Sequence, residues 1–212
     1  MLFAIAATLV STAFSIFVLA GYKRRGHRYQ LIWGIGLALF AIASAAGLAA
    51  RTGGANELGY RIFYLFGAIL NVSWLAQGTA TLLAPRRVAD LSLAGLMAFS
   101  FVSAFAVFAS PVDLSAAVDT GRGFQASVVP RLLAGLGSGL GTIVLAGGAL
   151  WSGWTFLRRG RSGRRALANL IIAIGVLVTA AGGTAAFTGT SGIVEITNLV
   201  GVSLMFLGFL LV

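Results

Sequence analysis

The first forty residues, MLFAIAATLVSTAFSIFVLAGYKRRGHRYQLIWGIGLALF (1–40), decide the fold: an apolar run, a basic cluster, then a second apolar run. The first run has no basic residue ahead of it and is too long for the apolar stretch of a secretory signal. Lys23, Arg24 and Arg25 follow it at once, so it is expected to stay in place as a membrane anchor. At about 1.5 Å per residue it suits a helix crossing roughly 30 Å of hydrocarbon.

The same pattern continues along the chain. Runs at 2–21, 31–50, 62–84, 91–110, 132–157, 166–187 and 192–212 make seven spans. Each is expected to be helical, because a segment without water must satisfy its own backbone groups and these runs are too uniformly apolar for barrel strands. Composition agrees. A chain of 212 residues that is 58% hydrophobic and 9% charged, with mean hydropathy +0.97, is too apolar for a soluble domain of this length. The expected fold is all-α, a single polytopic membrane domain over 1–212.

Charge sets the expected orientation. Lys23, Arg24, Arg25, Arg28, Arg86, Arg87, Arg158, Arg159, Arg161, Arg164 and Arg165 fall on one side, and Arg51, Arg61, Arg122 and Arg131 on the other. Basic residues are retained on the cytoplasmic face, so the N-terminus is expected outside and the C-terminus in the cytoplasm, in the inner membrane of a bacterium. Aromatic residues fit interfacial belts: Tyr22, Tyr29, Trp33, Trp151 and Trp154 at the inner boundary, Tyr60 and Tyr64 at the outer one, with Trp74 in mid-span. One connection is long, PVDLSAAVDTGRGFQASVVP (111–130); Asp113 is expected to cap a short helix through Ala117 that Gly121 and Gly123 then break.

Several chemistries are excluded. The chain has no Cys, hence no disulfide, thiolate metal site or cysteine nucleophile, and His27 as its one histidine rules out multi-histidine haem or zinc sites. Lys23, the one lysine, lies in a loop, so no span offers a Schiff-base lysine for retinal. The net charge of +10 is split among short clusters rather than forming one patch, which argues against nucleic acid as a partner. GLGSGLG (135–141) lacks the Lys-Ser/Thr ending of a phosphate loop; its glycines at four-residue spacing predict close helix packing. No cofactor is implied, and the chain is not expected to be an enzyme.

LIWGIG (31–36) and LIIAIG (170–175) agree at four of six positions, and each follows an Arg-rich loop. This suggests a repeat of 1–84 as 132–212, joined by the helix at 91–110. The arrangement resembles the three-plus-one-plus-three plan of the PQ-loop transporters, although no Pro-Gln pair occurs in the chain. That resemblance implies two parallel three-helix units with a site between them. A second likeness rests on the first span, KRRGHR, the second span, Glu57 and YRIFYLFGAILNVSW: the chain is similar there to seven-helix sensor modules of bacterial histidine kinases.

The polar residues inside spans carry the functional expectation. Glu195 and Asn198, three residues apart, share a face of the last helix, and Asn71, Trp74 and Gln77 lie on the third. These five are the candidate ligand contacts. An alternative for Glu195 is a structural ion pair with Arg61 or Arg131, which lie on the same side. The leading expectation is a binding or transport module for a small, largely apolar molecule. The competing one is a non-catalytic sensor or assembly subunit that acts through a partner protein or a second copy, its Gly-rich fifth and sixth helices forming the contact face. The lipid bilayer is the common partner, with anionic lipids attracted to the basic face.

Overall fold

The computed structural model describes residues 2–54, 56–115, 122–160, 163–188 and 193–211. Seven helices are long and apolar enough to cross a membrane: α1 (Leu2–Arg25), α2 (Arg28–Ala50, continuing to Thr52), α3 (Glu57–Leu83), α4 (Arg86–Ala109), α5 (Val128–Arg158), α6 (Gly163–Ala185, continuing to Thr188) and α7 (Ile193–Leu211). Every described regular element is helical. The helices run past the apolar stretches because their basic ends remain helical: α1 continues through Lys23, Arg24 and Arg25, and α4 begins at Arg86. Asp90 therefore sits on a helix, where it pairs with Arg28 at 2.9 Å and Arg86 at 3.9 Å.

The turns are tight. Gly26 reverses the chain between α1 and α2 at φ 70°, and Gly160 ends α5 at φ 60°, both in the left-handed region open to glycine. Asn56 caps α3 by accepting the Gly59 N–H at 2.7 Å. Within α3, Tyr64–Leu70 forms a π-helix between two α-helical segments. This widened segment has no proline to announce it.

Six helices close a ring in the order α1, α2, α3, α5, α6, α7, with α7 returning to α1, and α4 packs outside it, mainly on α3. The three helices before α4 adjoin the three after it along the α3–α5 and α7–α1 seams. The ring is filled. Phe14, Val18, Leu37, Phe40, Leu75, Ala76, Leu145, Ala146, Val176, Val202 and Met205, drawn from all six helices, form one buried cluster. A second cluster lies where α3 meets α4, α5 and the long connection, around Tyr60, Tyr64, Ile69, Val107, Phe124 and Ala134.

Glycine sets the closest approaches. A methyl group at Gly175 would stand 2.6 Å from the Gly201 carbonyl oxygen, and one at Gly208 would stand 2.7 Å from that of Ala168. Spacing by seven on both helices keeps α6 and α7 in backbone contact over most of their length. In the sequence pair that suggests a repeat, Gly36 meets Leu75 and the Asn71 carbonyl of the following helix, while Gly175 meets Gly201 and Met205 of its own following helix.

Candidate functional site

On α3, the three candidate residues face different neighbours. Asn71 is 3% exposed and its Oδ1 accepts the Val72 N–H at 2.5 Å. Trp74 is half-buried and packs against the second cluster, away from the ring's centre. Gln77, also buried, donates from Nε2 to the Ala89 carbonyl of α4 at 2.8 Å and approaches Thr81 Oγ1 at 3.4 Å. That bond holds the peripheral helix to the ring. Ser73 and Ser138 do the same between α3 and α5. The Ser73 hydroxyl lies 3.0 Å from the carbonyls of both Ile69 and Gly137, and Ser138 donates to Ala68 O at 2.5 Å.

These contacts explain half of GLGSGLG. The π-helical segment of α3 projects its carbonyls at α5, and a methyl at Gly137 would stand 2.5 Å from Ile69 O. Gly141 is equally committed, to the Val72 backbone, whereas added methyls at Gly135 and Gly139 would meet nothing within 4 Å. The glycines thus form two faces, one packed on α3 and one open.

Glu195 and Asn198, both half-buried, occupy the first turns of α7. Between them Thr197 bonds back to Ile193 O at 2.9 Å and packs against Gly182 of α6. α3 and α7 are not neighbours in the ring, and the filled cluster includes side chains of both. Asn71, Trp74 and Gln77 on α3 therefore stand on a helix that is not adjacent in the ring to the one that carries Glu195 and Asn198.

The arginines have other contacts. Arg61 is 8% exposed; it meets Glu57 Oε1 at 2.5 Å, donates to the Val107 carbonyl, and stands 5.8 Å from the centre of the Phe108 ring. A cation at the last turn of α4 satisfies a carbonyl that the helix leaves without a partner. Arg131 reaches the Gln125 carbonyl at 3.4 Å. With Val128, Leu132 and Gly135 it lines a shallow groove on the exposed flank of α5.

Sequence reasoning missed three features. Trp33 has partners on α3 that its place near a span end does not announce: its indole N–H donates to Leu75 O at 3.0 Å and lies 3.3 Å from Thr79 Oγ1, with the ring over Gly78. Tyr60 and Tyr64, expected in the outer belt, are 5% and 1% exposed. Both rings contact Phe124 of the long connection, Tyr60 tilted and Tyr64 edge-on, and the Gly123 N–H donates to the Tyr60 hydroxyl at 2.9 Å. Burying an aromatic ring against a loop needs a partner that no local periodicity shows. In that connection Asp113 Oδ1 accepts from the Ser115 N–H at 3.0 Å and from its hydroxyl at 2.6 Å; the expected helix from there to Ala117, and its break at Gly121, lie largely outside the described residues. Finally, Gln30 is 4% exposed and Ser103 fully buried, and neither Gln30 Oε1 nor Ser103 Oγ has a hydrogen-bond partner among the described residues.

Among the described residues no three His, Cys, Asp or Glu side chains gather as a metal site would require. In comparison with known proteins, the chain matches no family model, no curated protein and no solved structure.

Proposed function

We propose that this chain is a non-catalytic membrane subunit or sensor that acts through a partner protein in the bilayer, lying in the inner membrane with its N-terminus outside. The observation that carries this is the apolar cluster inside the ring, to which six helices contribute buried side chains. A passage for a molecule needs a lumen. The polar side chains Gln77, Ser73 and Ser138 are occupied in joining helices. The open glycine face of α5, Gly135, Gly139 and Gly147, supports lateral contact, since small residues let membrane helices approach closely.

The second proposal is a small-molecule binding or transport module of three-plus-one-plus-three design. It is favoured by the ring order and by the π-helical segment of α3, a place where a helix lacking internal proline can change register.

Because the chain has no Cys, a single Gly139→Cys variant gives an unambiguous crosslinking probe in native membranes. The subunit proposal expects a discrete crosslinked product containing a second polypeptide, identical in a Gly139→Cys, Glu195→Gln double variant. Flux of a small molecule in proteoliposomes that disappears in Glu195→Gln, with no crosslinked product, would replace it with the transport proposal.

A further inference from the structure

An α-helix closes each hydrogen bond over four residues and a π-helix over five, a rarer geometry that occurs mostly as short segments at functional sites. In α3 that segment is Tyr64–Leu70, and the Asn71 N–H reaches back to the Phe66 carbonyl. Contacts from outside the helix hold it on two sides. Towards α5, Ser138 donates to Ala68 O at 2.5 Å, and the Ser73 hydroxyl stands 3.0 Å from both Ile69 O and Gly137 O. Asn71 Oδ1 takes the neighbouring Val72 N–H at 2.5 Å.

Towards the long connection, the turn that precedes the segment is tied down. The Gly123 N–H donates to the Tyr60 hydroxyl at 2.9 Å, the Phe124 ring lies 5.6 Å from that of Tyr60 and 4.8 Å from that of Tyr64, and Arg61 donates to the Val107 carbonyl. Beyond the segment, α3 is fixed to its neighbours by Trp33 on Leu75 O and by Gln77 on Ala89 O. Were the segment to close with α-helical bonds, the outer turn would stand about one residue, roughly 100°, from its present register. Tyr60 and Arg61 would leave Gly123 and Val107, and the Ala68 and Ile69 carbonyls would turn back into their own helix. Both sets of contacts therefore favour the same closure, which is the condition for one site to bias the other.

We propose that the π-helical segment is a two-state joint through which the outer connection regulates α5. With Phe124 seated on Tyr60 and Tyr64, the segment is π-helical and its carbonyls hold α5. With Phe124 lifted, it closes as an α-helix and releases Ser138, the residue before Gly139 on the open face of α5. As a route to a partner protein the joint rests on the contact proposed above at Gly139. The joint itself is measured in the chain alone, so its failure and the failure of that contact are separate results.

Because the chain has no Cys, spin labels can be placed at Leu58→Cys on the outer turn and Leu9→Cys on α1, both exposed positions on helices that are not neighbours in the ring. A rotation of about 100° moves the Leu58 label by roughly 8 Å at the radius of a helix surface. In nanodiscs, double electron–electron resonance on this pair should give one distance. F124A should add a second distance in more than about 10% of molecules. S73A/S138A, remote from the connection, should add the same second distance, because coupling between two sites is reciprocal. V176A, which loosens the central cluster through α6, should leave the single distance unchanged. F124L keeps an apolar side chain without the ring contacts and should give a smaller second population, which serves as the readout if F124A does not fold. An unchanged single distance in F124A, or in F124L where F124A does not fold, overturns the joint. A second distance in F124A without one in S73A/S138A overturns its link to α5, and the same second distance in V176A reduces it to general loosening.

Discussion

Gln77 shows how a polar residue in an apolar helix can be consumed by architecture. Its Nε2 donates to the Ala89 carbonyl at 2.8 Å, bridging α3 to the one helix outside the ring. Interhelical bonds of this kind are worth about 0.6 to 1.7 kcal/mol. Gln77→Leu should therefore lower unfolding free energy by about that amount, as read by steric trapping in bicelles, and should loosen α4 first. Ser103 on α4 should behave in the opposite way. Its hydroxyl is buried without a hydrogen-bond partner among the described residues, so Ser103→Ala removes an unsatisfied group and should be neutral or stabilising by up to about 1 kcal/mol. A loss comparable to Gln77→Leu would show that the hydroxyl is satisfied. Sequence alone marks both as polar residues in an apolar helix. It does not say which has a partner, because the partner of Gln77 is a backbone carbonyl on another helix.

Among elements, the seven spans were legible because apolar length and basic loops are local signals, and the seven long apolar helices coincide with them to within a few residues. The π-helical segment was not legible, since Tyr64–Leu70 contains neither proline nor a polar interruption. Its consequence appears on α5, where the Ile69 carbonyl approaches Gly137 too closely to leave room for a side chain while Gly139 stays open. Four-residue spacing predicted packing for both glycine pairs; which pair packs depends on how α5 is rotated against α3. Gly137→Ala should cost about 1 to 3 kcal/mol through overpacking against fixed backbone. Gly139→Ala should change stability by less than about 0.5 kcal/mol in the isolated protein. Equal costs in the same unfolding measurement would contradict this rotation. The aromatic residues Trp33, Tyr60 and Tyr64 illustrate the same limit, since a ring near a span end suits an interface or a core equally well in sequence. Trp33 packs against the central cluster because Gly78 leaves space for it.

At the scale of the whole molecule, charge and ring order lead to separate tests. Eleven basic residues on one side against four on the other predict a cytoplasmic C-terminus. A C-terminal fluorescent protein should therefore mature and a C-terminal alkaline phosphatase should be inactive; the reverse pattern would invert the orientation. Ring order concerns assembly. If α1–α2–α3 and α5–α6–α7 are two units, only the α3–α5 and α7–α1 seams hold the ring closed between them. The first seam rests on the Ser73 and Ser138 hydroxyls. The second rests on Phe14, whose ring stacks on Phe206 at 4.8 Å and tilts against Phe209 at 5.5 Å. Because neither seam needs chain continuity, halves separated within the long connection, 1–115 and 116–212, should copurify when coexpressed. Ser73→Ala with Ser138→Ala should reduce recovery of the complex, as should Phe14→Ala, and the three changes together should abolish it, since they remove contacts from both seams. The connection itself contributes a third attachment, Phe124 on Tyr60 and Tyr64, so Phe124→Ala should weaken association of the halves more than it destabilises the intact chain. Halves that fold separately but never associate would mean that continuity through the long connection, rather than the seams, keeps the ring closed.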